Sequence, residues 1–95
     1  MHAVAGRWTL DPAQAERRGE ALTGIVAGVQ QLPGFVRGFW SRDVTDPSTS
    51  HTWIVFETRE QAEKFRLSVQ QNAPAQRESG VARDDLVLLE VVAEA

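Results

Sequence analysis

Cysteine and tyrosine are both absent from the 95 residues. The first absence removes disulfides, thiolate nucleophiles, zinc–sulfur sites and iron–sulfur clusters, and the second removes phenol chemistry. Lysine occurs once, at Lys64, so arginine supplies the rest of the 10 basic residues, which 13 acidic ones outnumber for a formal net charge of −3. That balance lacks the basic footprint needed to grip a phosphate backbone, and nucleic acid is not an expected partner. No apolar run approaches the ~18–20 residues of a membrane span, and no charged stretch followed by an apolar one opens the chain. A cytoplasmic location without a membrane partner is therefore expected. What is present, 42% hydrophobic and 24% charged residues, suits a folded chain, and the length predicts one domain over residues 1–95. A domain so small buries only ~60–65% of its surface, so a second copy would help it.

Val4, Trp8 and Leu10 fall at even spacing between Arg7 and Thr9, which predicts a first strand over His2 to Leu10. Asp11-Pro12 supplies a helix cap followed by a proline at the first helical position. Leu22, Ile25, Val26, Val29 and Leu32 then recur at steps of three and four, predicting a helix with one buried face that Pro33-Gly34 ends. Phe35 to Val44 reads as a second strand, Thr45 to Ser50 as a turn, and His51 to Glu57 as a third strand, making a hairpin. Thr58 with Gln61 fits a capping box, and Ala62, Phe65 and Val69 mark the inner side of a second helix that Asn72-Ala73-Pro74 stops. Ala75 to Asp84 is a polar connection with room for one helical turn, and Leu86 to Val92 a fourth strand. The order βαββαβ predicts an α+β fold: an antiparallel sheet ordered 4-1-3-2 with both helices on one face.

Pairing the hairpin about that six-residue turn sets Val44 opposite His51, Trp40 opposite Val55 and Phe39 opposite Phe56. One face then carries Phe35, Phe39, Ile54 and Phe56, and the other Val36, Trp40, Trp53 and Val55. Two helices cover only one of two apolar faces, so the second is expected to meet a second copy of the chain. Trp40, His51, Trp53 and Val55 are the expected dimer-interface residues. Arg37 shares a face with Phe35 and Phe39, where its guanidinium could hold a carboxylate or phenolate. Gly24 and Gly28 share a side of the first helix, which either leaves room for a ligand or lets the helix approach the sheet. His2 and His51, the only imidazoles, are placed roughly 15–25 Å apart at ~3.3 Å per residue and cannot share a metal, so no metal site is expected. His51 alone could serve as a general base.

Pro33-Gly34-Phe35, the Ser41-Arg42-Asp43 stretch and the run Val55-Phe56-Glu57-Thr58-Arg59-Glu60-Gln61-Ala62 resemble the antibiotic biosynthesis monooxygenase-like domains of the dimeric α/β barrel superfamily. The resemblance implies a ferredoxin-like fold, dimerisation through the sheets, and oxidation of small aromatic molecules without a bound flavin or metal of the protein's own. In that family's pattern Gly6 and Trp8 point to the helices, where they would join Phe39, Ile54, Phe56 and Phe65, with Gly24, Gly28 and Arg37, around an apolar cleft. The family's haem-degrading branch needs an Asn, a Trp and a His at positions that fall here on Gly6, Phe65 and Ala75, so haem breakdown of that type is not expected. The expected function is binding of a small aromatic or apolar molecule between helices and sheet, with cofactor-independent oxidation as its chemistry. The alternative is a non-catalytic dimeric ligand-binding or structural module.

Overall fold

The computed structural model describes all residues from Met1 to Ala95. Strand β1 (His2–Leu10) leads through a short 3-10 turn (Pro12–Gln14) into α1 (Ala15–Gln30). Strands β2 (Phe35–Arg42) and β3 (Thr49–Phe56), helices α2 (Arg59–Gln71) and α3 (Ala73–Glu78), and strand β4 (Val81–Glu90) follow. The four strands form one antiparallel sheet ordered β2-β3-β1-β4, which is the predicted ferredoxin-like arrangement. Both caps form as expected. Asp11 accepts the Ala13 N–H at 3.0 Å, and Thr58 and Gln61 exchange two 3.2 Å bonds at the start of α2. Strand β4 begins five residues earlier than predicted and ends two earlier, while the turn in the connection is the six-residue helix α3, with Pro74 in its first turn.

The hairpin register differs from the expected one, and the turn is the reason. Asp43 accepts hydrogen bonds from the Thr45 and Asp46 N–H groups through Oδ1, and Asp46 does the same for Ser48. These Asx contacts close the chain early, so Asp43 N–H meets the Thr49 carbonyl at 2.9 Å and the strands end at Arg42 and resume at Thr49. Trp40 consequently pairs with Thr52, Phe39 with Trp53 and Ser41 with His51, with an irregularity between Phe35 and Arg37. An odd shift of register exchanges the two faces. Phe39 and Arg37, expected under the helices, lie on the uncovered face, and Trp40, expected at a dimer interface, packs against the core beneath the helices.

The core is Val4, Val29, Ile54, Phe56 and Ala62, with Phe35, Trp40, Phe65, Leu86 and Leu88 packed against it. Helix α2 sits over β1, β3 and β4, whereas α1 meets mainly the edge strand β2. The expected buried face of α1 is only partly realised. Val29 is buried near its end, but Leu22 and Ile25 remain 39% and 51% exposed, because α1 leaves the sheet along most of its length.

Candidate functional site

Two glycines on the helix-covered face explain where the tryptophans go. A Cβ on Gly6 would sit 2.6 Å from Trp8 Nε1, and a Cβ on Gly38 would sit 3.1 Å from the Trp40 ring. Each indole therefore folds back along its own strand over the space that a side chain would fill. Gly6-Arg7-Trp8 on β1 and Gly38-Phe39-Trp40 on β2 are the same unit, and they flank β3 on either side. Trp8 is buried and donates its Nε1–H to Thr52 Oγ1 at 3.0 Å, and Trp40 pairs with Thr52 from the other strand. Thr52 thus accepts from the Trp8 indole and faces Trp40 across the ladder, while the Trp40 ring lies back over Gly38, beside Ile54. The layer toward α2 is closed, since Phe56 packs on Phe65 with ring centroids 5.3 Å apart and on Phe35 at 6.4 Å edge to face. Toward α1 it is open, since the helix meets mainly β2 and leaves Leu22 and Ile25 exposed.

Of the residues expected around a cleft, Ile54 and Phe56 are core and Phe65 packs against them. Gly6 lies beneath the Trp8 indole, and Trp8 is buried on the helix-covered face. Phe39 and Arg37 belong to the opposite face. Gly24 and Gly28 face open space, with no atom within 4 Å of a Cβ built on either. At ~100° per residue Gly24 is ~140° around the helix from buried Val29, so it neither approaches the sheet nor lines a cleft with it. Thr52, Trp40, Leu22 and Ile25 were not expected there. The signal available was the repeated Gly-x-Trp, which fixes both indoles to the side of their glycine whatever the register of the hairpin.

The uncovered face has three cross-strand rows, read from β2 to β4: Arg37–Val55–Ala3–Leu89, then Phe39–Trp53–Ala5–Val87, then Ser41–His51–Arg7–Asp85. Phe39 is 58% exposed and Trp53, beside it, 46%. The second and third rows floor a hollow of about 300 Å³. His51 and Trp53 are on this face as expected, and Val55 is too, although it is already buried within the single chain.

His2 lies on the helix-covered face, paired with Phe56, with its Nδ1 buried and without a hydrogen-bond partner, while His51 lies on the opposite face. No three His, Asp or Glu side chains gather as a metal would require. Neighbouring hydroxyls and amides set the perturbed carboxylates. The Thr45 hydroxyl, then the Thr45 and Asp46 N–H groups, hold Asp43 below its ordinary value, and Ser48 and Thr49 do so for Asp46. The Arg66 guanidinium likewise lowers Glu63. All of these lie outside the indole layer.

No helix is long and apolar enough to cross a membrane. None of the curated proteins matches the sequence. Solved structures do match in fold: a variant of SnoaB, a cofactor-independent oxygenase from Streptomyces nogalater, has a TM-score of 0.77 at 18% identity over 98% of this chain and 94% of its own. A Deinococcus radiodurans protein assigned to the antibiotic biosynthesis monooxygenases has 0.76 at 18% identity, over 100% of this chain and 95% of its own. Rv0793 from Mycobacterium tuberculosis has 0.75 at 17%, over 99% and 97%. Residues 1–73, from β1 through α2 to the start of α3, match the antibiotic biosynthesis monooxygenase family, and the chain belongs to that family.

Proposed function

We propose that this chain is a homodimeric domain that binds a small aromatic molecule between the two indoles and α1, and oxidises it without a cofactor. The observation that carries the reading is the pair of Gly-x-Trp units, which lay the Trp8 and Trp40 indoles on the helix-covered face of the two strands that flank β3, on the same side of the sheet as an α1 whose Leu22 and Ile25 are uncovered. A flat apolar ligand would gain by covering both the ring edges and the exposed leucine and isoleucine, at ~25 cal/mol per Å² of apolar surface removed from water. Family membership and the likeness to a cofactor-independent oxygenase support oxidation as the chemistry. In such a reaction the ligand gives its proton to solvent water and its electrons to O₂, one atom of which leaves as water when an anthrone CH₂ becomes a carbonyl and both as hydrogen peroxide when a quinol becomes a quinone, and the chain contributes position and a water-poor surface. A second reading, binding without turnover, is favoured by the absence of any titratable side chain among Trp8, Trp40, Thr52, Leu22 and Ile25.

The uncovered sheet face supports the dimer. Phe39 and Trp53 form a cross-strand aromatic pair, exposed on a face that no helix covers, and exposed apolar patches of this kind are typical of subunit contacts. The binding test is tryptophan fluorescence with an anthrone or quinol. Quenching is expected in the parent chain and in Trp53→Phe, and its loss is expected in Trp40→Ala; quenching that survives Trp40→Ala removes this site. Oxygen uptake with the same ligand separates oxidation from binding alone.

A further inference from the structure

The sheet edge opposite the one that α1 meets carries a second hollow, of about 220 Å³, between α3 and the start of β4. Its walls are Ala73, Gln76 and Arg77 of α3 with Val81, Ala82 and Arg83 of β4. This corner is held in place from several sides. Gln76 donates its Nε2–H to the Val69 carbonyl at 3.1 Å, which ties α3 to α2. Gly80, in the left-handed region at φ +76°, turns the chain from α3 into β4, and its carbonyl accepts the Asp11 N–H at 2.8 Å. Arg83 pairs with Trp8 across the β1–β4 ladder, and ladder partners share a face, so its side chain leaves the sheet on the helix-covered side, where α3 lies.

The charges in this hollow are of one sign. No carboxylate lines it, and neither Arg77 nor Arg83 enters an ion pair, whereas Arg37 and Arg66 have Glu94 and Glu63. The hollow on the uncovered face differs, since Asp85 shares it with Arg7. The acids next in sequence are engaged elsewhere: Asp84 Oδ2 accepts from the Thr9 hydroxyl at 2.7 Å, and Asp85 Oδ1 from the Leu86 N–H at 3.0 Å. Glu78 follows Arg77 on α3, and adjacent helical residues do not face each other. The end of α3 does not need Arg77 either, because the Ala75, Gln76 and Arg77 carbonyls already accept from the Ser79 and Gly80 N–H groups and the Ser79 hydroxyl. Two guanidiniums in one hollow repel each other, and the group that offsets both is a dianion. A phosphate group carries about −1.5 to −2 at pH 7 and offers several oxygens to the fork of each arginine. A monocarboxylate offsets only one of the two charges. Ala73, Val81 and Ala82 add an apolar wall against which the organic part of a phosphate monoester can lie.

We propose that the hollow between α3 and β4 is a phosphate site, in which Arg77 and Arg83 together hold the phosphate group of a small monoester. It stands apart from Trp40 and α1 and does not rest on the oxidation proposed above. The test is calorimetric titration of the full chain at low ionic strength with phenyl phosphate, inorganic phosphate and benzoate. Phenyl phosphate is expected to bind at one site per chain, and Arg77→Gln and Arg83→Gln are each expected to raise its Kd about tenfold or more. Both arginines are exposed, so the ligand-free variants should keep the Tm of the parent. Arg83→Lys, which keeps the charge and loses the fork, is expected to fall between the parent and Arg83→Gln. Arg42→Gln, exposed at the end of β2 on the other edge of the sheet, is expected to bind as the parent does. Weaker binding of inorganic phosphate than of phenyl phosphate identifies the monoester as the ligand, and equal or tighter binding overturns that part in favour of free phosphate. Benzoate binding as tightly as phenyl phosphate overturns the phosphate assignment. No saturable binding of either phosphate, or an unchanged Kd in both Arg77→Gln and Arg83→Gln, overturns the site.

Discussion

The two long helices look alike as patterns and behave differently as structures. Helix α2 is pinned by its capping box and inserts Ala62, with no exposed surface, and Phe65 into the centre of the sheet. Helix α1 is three residues longer, yet buries only Val29. A periodic apolar stripe states which side of a helix is apolar, and whether that side is covered depends on what the rest of the chain sets opposite it. Opposite α2 are Phe56, Val4 and Leu88. Opposite α1 is the β2 edge, where the large side chain expected to meet it, Phe39, has turned to the other face and Gly38 with its folded-back indole stands in its place. The uncovered stripe of α1 is thus tied to the register of the hairpin.

The largest test of this contrast is Phe56→Ala, which removes the ring that α2 packs on and is expected to cost about 3–5 kcal/mol. Ile25→Ala on α1 should change stability by no more than about 0.5 kcal/mol. Urea denaturation of both variants measures the difference, and equal losses would mean that α1 is docked like α2. Next in size is Gly6→Ala, whose Cβ would displace the Trp8 indole from Thr52, an overpacking expected to cost about 1–3 kcal/mol and to change the tryptophan emission.

Gly24→Ala goes the other way. With open space at the site and only helix propensity at stake, it is expected to stabilise the chain by about 0.5–1 kcal/mol, a rise of a few degrees in Tm by calorimetry. A fall in Tm would place Gly24 against something. The smallest effect belongs to the hairpin turn. Asp43 is held below its ordinary 3.8 by Thr45 and Asp46, so the native turn favours the carboxylate. Its contribution is complete above the unfolded value and fades as pH falls through the depressed one. Exchange of the Thr49 amide, which donates to the Asp46 carbonyl, should accelerate beyond its intrinsic pH dependence only in that acid range, and Asp43→Asn should abolish the extra acceleration.

Local patterns carried most of the fold. The strand alternation of His2 to Leu10, the Asp11-Pro12 start, the Thr58–Gln61 box and the stop at Pro33-Gly34 each depend on contacts within a few residues, and each is where the sequence places it. The candidate site was less legible. Trp8 faces the helices, as the family resemblance implies, while Trp40 and Phe39 stand on the faces opposite to those expected, because a strand's alternation gives two sets of residues without saying which set faces which way.

By itself, then, the sequence determined the order of elements, their caps and the presence of two apolar sheet faces, all of which follow from short-range bonding and residue spacing. Only the tertiary structure decided which indoles share a face, how far α1 stands from the sheet, and that Glu94 reaches Arg37. Each of these depends on contacts between distant strands. A few hydrogen bonds around Asp43, moving the hairpin register by an odd number of residues, were enough to reverse the faces of a whole strand.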